Sequence, residues 1–253
     1  MLTCSLQSGS NGNCIYVETE DTRLLFDAGI SGSTARLRLE QNGRDIRDVQ
    51  ALIISHNHTD HVRSAGVFQR KFRLPIYITH GSWQASKSGM GQVDQVTCFA
   101  GGEVLQFGNT RVTTIPTPHD GREGEAFVIQ HKKEKLGIFT DLGHRFAGIE
   151  EWICDLDGLY LESNYDPQML AEGPYPLWLQ RRIAGAGGHI SNGEAAQMIR
   201  DCGSRIKLVI LSHLSEHNNH PNIAQQTFQE IVSESFPIRV ASRYERSTMF
   251  EIE

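Results

Sequence analysis

The chain has 253 residues, a net charge of −6 at pH 7 and 39% hydrophobic residues, which are ordinary values for a globular protein with a sizeable core. No apolar run is long enough to cross a bilayer, and the acidic balance excludes a general attraction to nucleic acid. Five scattered cysteines without a CxxC pair, and a first segment without a basic start and an apolar stretch, predict a cytoplasmic protein with reduced thiols.

In the first half of the chain, strand-length apolar segments alternate with helical segments and glycine-rich turns. Residues 13–19 and 22–29 predict a hairpin. Residues 31–43 predict a helix that Ser31 or Ser33 caps and that ends at Gly43. The segments predicted to follow are a strand at 49–55, a helix at 61–72, a strand at 74–79 and β-rich segments at 96–100, 103–119, 125–131 and 135–143.

The second half repeats the alternation of strands and helices. Its predicted strands are residues 158–164, 206–213, 239–244 and 247–252. Its predicted helices are residues 167–173, 175–185, 222–235 and 191–203, the last with a Ser-x-x-Glu capping box. No composition shift separates the halves, so we expect one α/β domain over residues 1–253, with two β-rich halves and outer helices.

Polar side chains suited to chemistry stand where five of these segments end. They are Asp27, His56, His119, Asp141 and His213. Because rigid strands fix the loops that follow them, α/β proteins often build their sites at such positions. The repetition predicts a common rim on which the five side chains converge.

Residues 52–61, LIISHNHTDH, hold the densest group of these side chains. In an extended segment residues i and i+2 point the same way, so His56 and His58 can present their imidazoles to one metal ion. Asp60 and His61 begin the following helix and can face a second ion. Nitrogen and oxygen ligands together suit zinc, manganese or iron rather than calcium. The alternative, a polar surface loop, fits poorly because the segment follows a core strand.

The SHNHTDH motif resembles the metal-binding signature of the metallo-β-lactamase superfamily of hydrolases, and further landmarks of that family follow in order along the chain. The resemblance implies a four-layer αββα sandwich with two divalent ions, zinc or manganese, at one edge of the facing sheets. It implies that Asp27 supports the site and that a hydroxide between the ions is the nucleophile. The implied ligands are His56, His58 and His119 for one ion, Asp60, His61 and His213 for the other, and Asp141 as the bridge.

Glu162 and His189 bear on the reaction itself. Glu162 ends a predicted strand, and His189 precedes a helix. They resemble the Glu–His pair of the tRNA 3′-end processing enzymes (RNase Z), in which the histidine protonates the leaving oxygen. An alkoxide needs that proton far more than a thiolate does, so the pair favours phosphodiester cleavage over thioester cleavage. Asp60, Glu162 and His189 are the candidate catalytic residues. The alternative for His189 is a helix-start histidine without a catalytic role.

Four stretches, SGSNGNC, ESNYD, GGHISN and LSHLSEHNN, resemble the YycJ/WalJ-type exonucleases of the superfamily, which degrade DNA from 5′ to 3′. The resemblance implies a DNA or nucleotide phosphodiester as the substrate and no membrane partner. The SGSNGN stretch and the EHNN amides are candidates for phosphate binding, with tight turns as the equal alternative. The chain is too short for the inserted domain of RNase J-type nucleases, and it shows no flexible arm like that of RNase Z.

The predicted function is a binuclear metal-dependent phosphodiesterase that acts as a DNA exonuclease. One alternative is a small-molecule or cyclic nucleotide-type phosphodiesterase, which the charge of −6 leaves open. Others are a thioester or lactam hydrolase and a metal-stabilised binding protein, although structural metal sites are normally closed and mononuclear. Outside the site, we expect Trp83, Trp152 and Trp178 to be packed. We expect Arg181 and Arg182 to be solvated helix charges, with contact to a nucleic-acid backbone as the alternative.

Overall fold

A computed structural model describes all 253 residues, whose strands form two seven-stranded sheets. The first sheet has the order β14-β1-β2-β3-β4-β5-β6 and consists of β1 (Leu2–Gln7), β2 (Cys14–Glu18), β3 (Arg23–Phe26), β4 (Ala51–Ile53), β5 (Ile76–Thr79), β6 (Val96–Phe99) and β14 (Phe250–Glu251). The second has the order β13-β12-β11-β10-β9-β8-β7 and consists of β7 (Val104–Phe107), β8 (Thr110–Pro116), β9 (Glu125–His131), β10 (Glu134–Phe139), β11 (Gly158–Glu162), β12 (Leu208–Ser212) and β13 (Ile238–Val240).

Nine α-helices connect or cover these strands. They are α1 (Gly32–Glu40), α2 (Thr59–Val62), α3 (Ala65–Phe72), α4 (His80–Met90), α5 (Ile149–Ile153), α6 (Pro167–Glu172), α7 (Leu177–Ile183), α8 (Asn192–Cys202) and α9 (Pro221–Ile231). Ser31 caps α1, and the predicted capping box of Ser191 and Glu194 is present at the start of α8. None of the helices combines the length and the apolar character that a membrane crossing requires.

Alternating side chains along the strands create three apolar layers. In β3, Leu25 packs with the helices outside the first sheet, whereas Leu24 and Phe26 face the second sheet. Phe26 meets Phe127 of β9 with 5.2 Å between the ring centroids, so the inner faces of the two sheets are in contact. The outer face of the second sheet packs on α5, α8 and α9. The predicted αββα sandwich is confirmed.

Each sheet changes from antiparallel to parallel pairing along its width. The strands β3 to β6 are parallel in the first sheet, as are β10 to β13 in the second. Parallel strands end at the same edge, so the loops after β3 and β4 lie together, as do those after β10, β11 and β12. These two edges hold the residues that the sequence singled out.

Several features differ from the sequence prediction, which also leaves β1 and α5 without a predicted element. The helix predicted over 61–72 is two helices, α2 and α3. The sequence does not predict α4, whose residues HGSWQASKSGM include two glycines and three serines, which are weak helix formers. The last two predicted strands separate, because β13 joins β12 in the second sheet while β14 joins β1 in the first. This crossing supports the single domain over residues 1–253, which stays a prediction.

Candidate metal centre

All seven predicted ligands lie in one cluster where the two sheet edges meet. Their nitrogen and oxygen atoms form groups within 4.8 Å of one another, namely His56, His58 and His119; Asp60, His61 and His213; and His56, His61 and Asp141. The first two groups are the triplets that the resemblance implies for two ions. Asp141 lies between the two triplets, because its Oδ2 is 3.2 Å from His61 Nε2 and its Oδ1 is 3.5 Å from His213 Nδ1 and 3.6 Å from His119 Nε2.

The backbone turns sharply where three strands deliver their polar residues. Asp27 after β3, Asp141 after β10 and His213 after β12 have φ angles of 64°, 56° and 57°. Left-handed backbone costs a residue with a side chain about 1–2 kcal/mol. Only six non-glycine residues of the chain adopt it, and half of them belong to this cluster, so the strain is concentrated where the side chains must be aimed.

Two ligand atoms inside the cluster lack a hydrogen-bond partner although they are buried. They are His56 Nε2 and Asp141 Oδ2, which His61 Nε2 approaches at 3.2 Å without the geometry of a hydrogen bond. The other ring nitrogen of His56, Nδ1, lies 3.0 Å from the Ser55 hydroxyl, which leaves Nε2 free. Leaving a buried polar atom unsatisfied costs about 1–3 kcal/mol. A divalent cation would satisfy both atoms, so the residues present fit a metal site.

Asp27 supports the cluster by contacts to His61 and Ser55 and matches the supporting role that the resemblance implies. Its Oδ2 lies 2.8 Å from His61 Nδ1, and its Oδ1 accepts the Ser55 N–H at 2.8 Å. Asn13, the last residue of the SGSNGN stretch, lies on the other side. Its Nδ2 is 3.0 Å from His61 Nε2 and donates to Asp60 Oδ2 at 3.1 Å. Asp27 therefore fixes the orientation of the His61 ring through Nδ1, which leaves Nε2 among the other ligand atoms.

Burial and neighbouring charges shift the pKa values of the cluster residues in opposite directions. Burial holds the pKa of His56 well below its usual value and also lowers the pKa of His58, so both rings are neutral and offer a lone pair to a metal. Burial alone would raise the pKa of Asp141, but the His213 and His61 rings outweigh it and hold that pKa far below its usual value. Burial likewise opposes protonation of His213, yet Asp141 and Asp60 raise its pKa to about 10. Metal binding at His213 must therefore displace a proton.

Glu162 and His189 form a pair beside the ligands. Glu162 is fully buried, accepts the His189 Nδ1–H at 2.5 Å through Oε1, and accepts the Leu142 N–H at 2.9 Å through Oε2. Burial would raise the pKa of Glu162, but the His189 ring outweighs burial and lowers it to about 2. His189 Nδ1 is 3.8 Å from Asp141 Oδ1, and the side chain is 20% exposed. Since Nδ1 is occupied by Glu162, Nε2 is the ring nitrogen of His189 left for another contact.

A further carboxylate, Asp120, faces the cluster. Its Oδ1 lies 3.5 Å from His58 Nε2 and 3.6 Å from His119 Nε2, while its Oδ2 accepts the Arg182 Nε–H at 2.7 Å. Its place next to His119 is the one sequence signal that could have found it. Arg182 is therefore not the purely solvated charge that the sequence analysis predicted.

Residues of both predicted phosphate-binding stretches brace the site from within. The Asn219 amide is buried and donates to the Ser163 and Asn164 carbonyls at 2.8 and 3.0 Å. In the SGSNGN stretch, the Ser8 hydroxyl accepts the His213 N–H at 2.8 Å. These contacts agree with the structural-turn alternative, and phosphate binding by the two stretches stays a prediction.

The three tryptophans differ in their environment. Trp83 packs against the outer core of the first sheet, as predicted. Trp178 is 68% exposed and Trp152 is 38% exposed, so the prediction of a packed residue is wrong for Trp178 and holds only in part for Trp152. A helix of seven residues cannot turn Leu177, Trp178 and Leu179 all towards one side, and Trp178 points outward.

Comparison with known proteins agrees with this geometry. Residues 8–147 match the family model described as the metallo-beta-lactamase superfamily. The chain belongs to the metallo-β-lactamase superfamily. As a member, it is a metal-dependent hydrolase that binds divalent metal ions, and the resemblance predicted from its motifs is confirmed.

Two relatives within the metallo-β-lactamase superfamily span nearly the whole chain. Exodeoxyribonuclease YycJ of Bacillus anthracis is 34% identical over 232 residues, covering 90% of this chain and 88% of the relative. Exodeoxyribonuclease WalJ of Streptococcus pneumoniae is 35% identical over 230 residues, covering 88% and 84%. The metallo-β-lactamase fold protein YhfI of Bacillus subtilis superposes with a TM-score of 0.76 at 16% identity, covering 99% of this chain and 100% of that one, so it shares the fold.

Proposed function

We propose that this chain is a binuclear exodeoxyribonuclease that degrades DNA from 5′ to 3′. The observation that carries the proposal is the Glu162–His189 pair, joined at 2.5 Å beside the ligand cluster, because a general acid suits a poor alkoxide leaving group. The similarity to YycJ and WalJ, both named exodeoxyribonucleases, supports DNA as the substrate. The 5′-to-3′ direction is taken from the resemblance to that type of enzyme.

The proposed ligands are the two triplets of the cluster, with Asp141 as the bridge. When bound, two zinc or manganese ions would neutralise the phosphate charge and supply a bridging hydroxide as the nucleophile. Asp60, whose Oδ2 lies 3.2 Å from His213 Nε2 and 3.4 Å from His61 Nε2, would bind one ion and keep the second triplet in place.

His189 would act on the leaving group. Glu162 is ionised and buried and accepts the Nδ1–H of His189, so it fixes the ring with Nε2 turned away from it. The Nε2 proton then passes to the 3′-oxygen as the bond between phosphorus and that oxygen breaks. The released nucleotide keeps its 5′-phosphate, and the shortened strand carries a new 5′-phosphate for the next cycle.

A small-molecule or cyclic nucleotide-type phosphodiesterase is the second candidate. The net charge of −6 favours it, because it gives no general attraction to long DNA, and a Glu–His pair serves any poor leaving group. A thioester hydrolase is a weaker candidate, since a thiolate leaves without a proton.

The experiment that tests the proposal is a ranking of substrates. Protein loaded with zinc or manganese is incubated separately with 5′-labelled DNA, RNA, cyclic nucleotides and a thioester. We expect 5′-phosphorylated DNA to be degraded to mononucleotides, at a rate that falls as salt rises. The Asp141→Ala variant, purified in the same way, excludes a contaminating nuclease. If DNA survives while a cyclic nucleotide is hydrolysed rapidly, the second candidate replaces the first.

A further inference from the structure

Helix α7 exposes the two most accessible large apolar side chains of the molecule. Leu177 and Trp178 are each 68% exposed. The helix, LWLQRRI, contains two arginines and no acidic residue. Arg181 is exposed and forms no ion pair, although the chain as a whole is acidic. The outer surface of α7 therefore combines a flat aromatic ring with an uncompensated positive charge.

This surface is connected directly to the metal centre. Arg182 bonds to Asp120, whose other oxygen lies 3.5 Å from His58 Nε2. Trp178 and Arg182 are four residues apart, so they share a face of the helix and are separated by about 6 Å along its axis. Trp178 thus lies one helical turn from the arginine that contacts the metal centre through Asp120.

The loop that follows α7 is held against the same cluster. His119 Nδ1 donates to the Gly188 carbonyl at 2.8 Å, and the Asp120 N–H donates to the Gly187 carbonyl at 2.9 Å. His189 is the next residue of the chain. Because the loop is fixed at these points, the position of α7 relative to His189 is fixed as well.

The inner side of α7 rests on a small apolar cluster. Tyr165, Leu170 and Ile183 form it, with Tyr175 and Leu179 packed against them. Tyr175 also contacts His217, in the loop after His213, with 5.7 Å between the ring centroids. This support makes the outer surface of α7 a preorganised platform.

We propose that Trp178 stacks on a nucleobase of the DNA strand that enters the metal centre, and that Arg181 binds a neighbouring phosphate. This inference rests on the proposed function. An indole face beside a free guanidinium matches the alternation of base and phosphate along a strand, and such stacking accepts any base sequence. Stacking requires the base to be unpaired, so the platform selects single-stranded ends. Leu177 extends the apolar surface under the base.

Binding of single-stranded DNA tests the platform apart from catalysis. The background is His189→Asn, in which the proposed ligands are intact, the amide can still donate to Glu162 and cleavage is slow, so that a labelled 5′-phosphorylated oligonucleotide survives the titration. We expect Trp178→Ala to raise Kd about 5- to 150-fold, the equivalent of ~1–3 kcal/mol for one stacked base. Trp178→Phe should retain most of the affinity, and Trp152→Ala, which changes an exposed tryptophan of α5, should leave Kd unchanged.

A strand with a single abasic position supplies the decisive comparison. When the abasic position lies at the platform, the background protein with Trp178 should bind this strand as weakly as the Trp178→Ala variant binds the normal strand. The Kd of the Trp178→Ala variant should be the same for both strands. An unchanged Kd in Trp178→Ala overturns the inference. The inference is also overturned if the protein sediments as a dimer and the Trp178→Ala variant as a monomer, because a second copy would then cover α7. If the wild-type protein cleaves bis(p-nitrophenyl) phosphate but no DNA, the proposed function itself fails.

Discussion

Replacing His189 should damage DNA cleavage selectively, because the residue is assigned to the leaving group alone. A DNA 3′-oxygen leaves poorly unless it is protonated, whereas p-nitrophenolate leaves readily as an anion. His189→Ala removes the donor that Glu162 holds at 2.5 Å. We therefore expect DNA cleavage to slow by about 10²–10⁴-fold, which corresponds to roughly 3–5 kcal/mol of transition-state stabilisation.

The size of this loss must be separated from damage to the fold. Removing the imidazole leaves the fully buried Glu162 carboxylate without its partner, and an unpaired buried charge can cost about 3–5 kcal/mol of stability. His189→Asn avoids this, because its amide can still donate to Glu162 but has no proton to transfer. This variant should fold and bind metal like the wild type while losing DNA cleavage as His189→Ala does.

The assay compares kcat/KM for DNA and for bis(p-nitrophenyl) phosphate in the same metal-loaded samples. The small substrate should lose much less, since the ligand cluster remains intact. Glu162→Gln should show the same selectivity more weakly, because it alters only the support of the ring. His80→Ala, an exposed histidine without a contact to the cluster, is the matched control. Equal losses on both substrates would show that His189 binds phosphate or supports the fold, and would refute its assignment as the acid.

Three other outcomes follow from the structure. Elemental analysis should find about two divalent ions per chain, and one ion or none after reconstitution in excess zinc or manganese would contradict the binuclear centre. Asp141→Ala should abolish activity, whereas Asp27→Ala should reduce it about 10–100-fold, and equal mild losses would mean that the bridge is misassigned. Burial raises the pKa of Glu125 from 4.5 to about 8, so the folded state binds more protons between these values and loses stability as pH rises through them. Glu125→Gln removes this titration, so the Tm of the variant relative to wild type should increase from about pH 5 to pH 8, and a constant difference would contradict it.

The sequence predicts those parts of the site that local geometry dictates. His56 and His58 follow a buried strand at i and i+2, and their rings lie 4.6 Å apart in the structure. Asp27, Asp141 and His213 each follow an apolar strand, and parallel strands bring such ends to one edge. In these cases one short segment contains both the polar side chain and the apolar strand that determines its position.

The contacts that the sequence does not reveal join distant segments. Asp120 and Arg182 are 62 positions apart, and each reads as an ordinary surface charge until the fold joins them. Asn13 reads as a turn residue, yet it reaches His61. The exposure of Trp178 depends on which side of α7 meets the small apolar cluster, and this is a property of tertiary packing that periodicity over seven residues cannot determine.

The crossing of β14 to the first sheet has a consequence for how the molecule folds. The pair Leu2–Glu251 joins residues from opposite ends of the sequence, and the contact between Asp60 and His213 closes a separation of 153 positions. Contacts of such long range form slowly, because the entropy of closing the intervening chain is lost before they contribute. A partly folded chain therefore has strand ends and scattered histidines but no assembled centre. Hydrolytic activity arises only in the last stages of folding, when the two sheets have met.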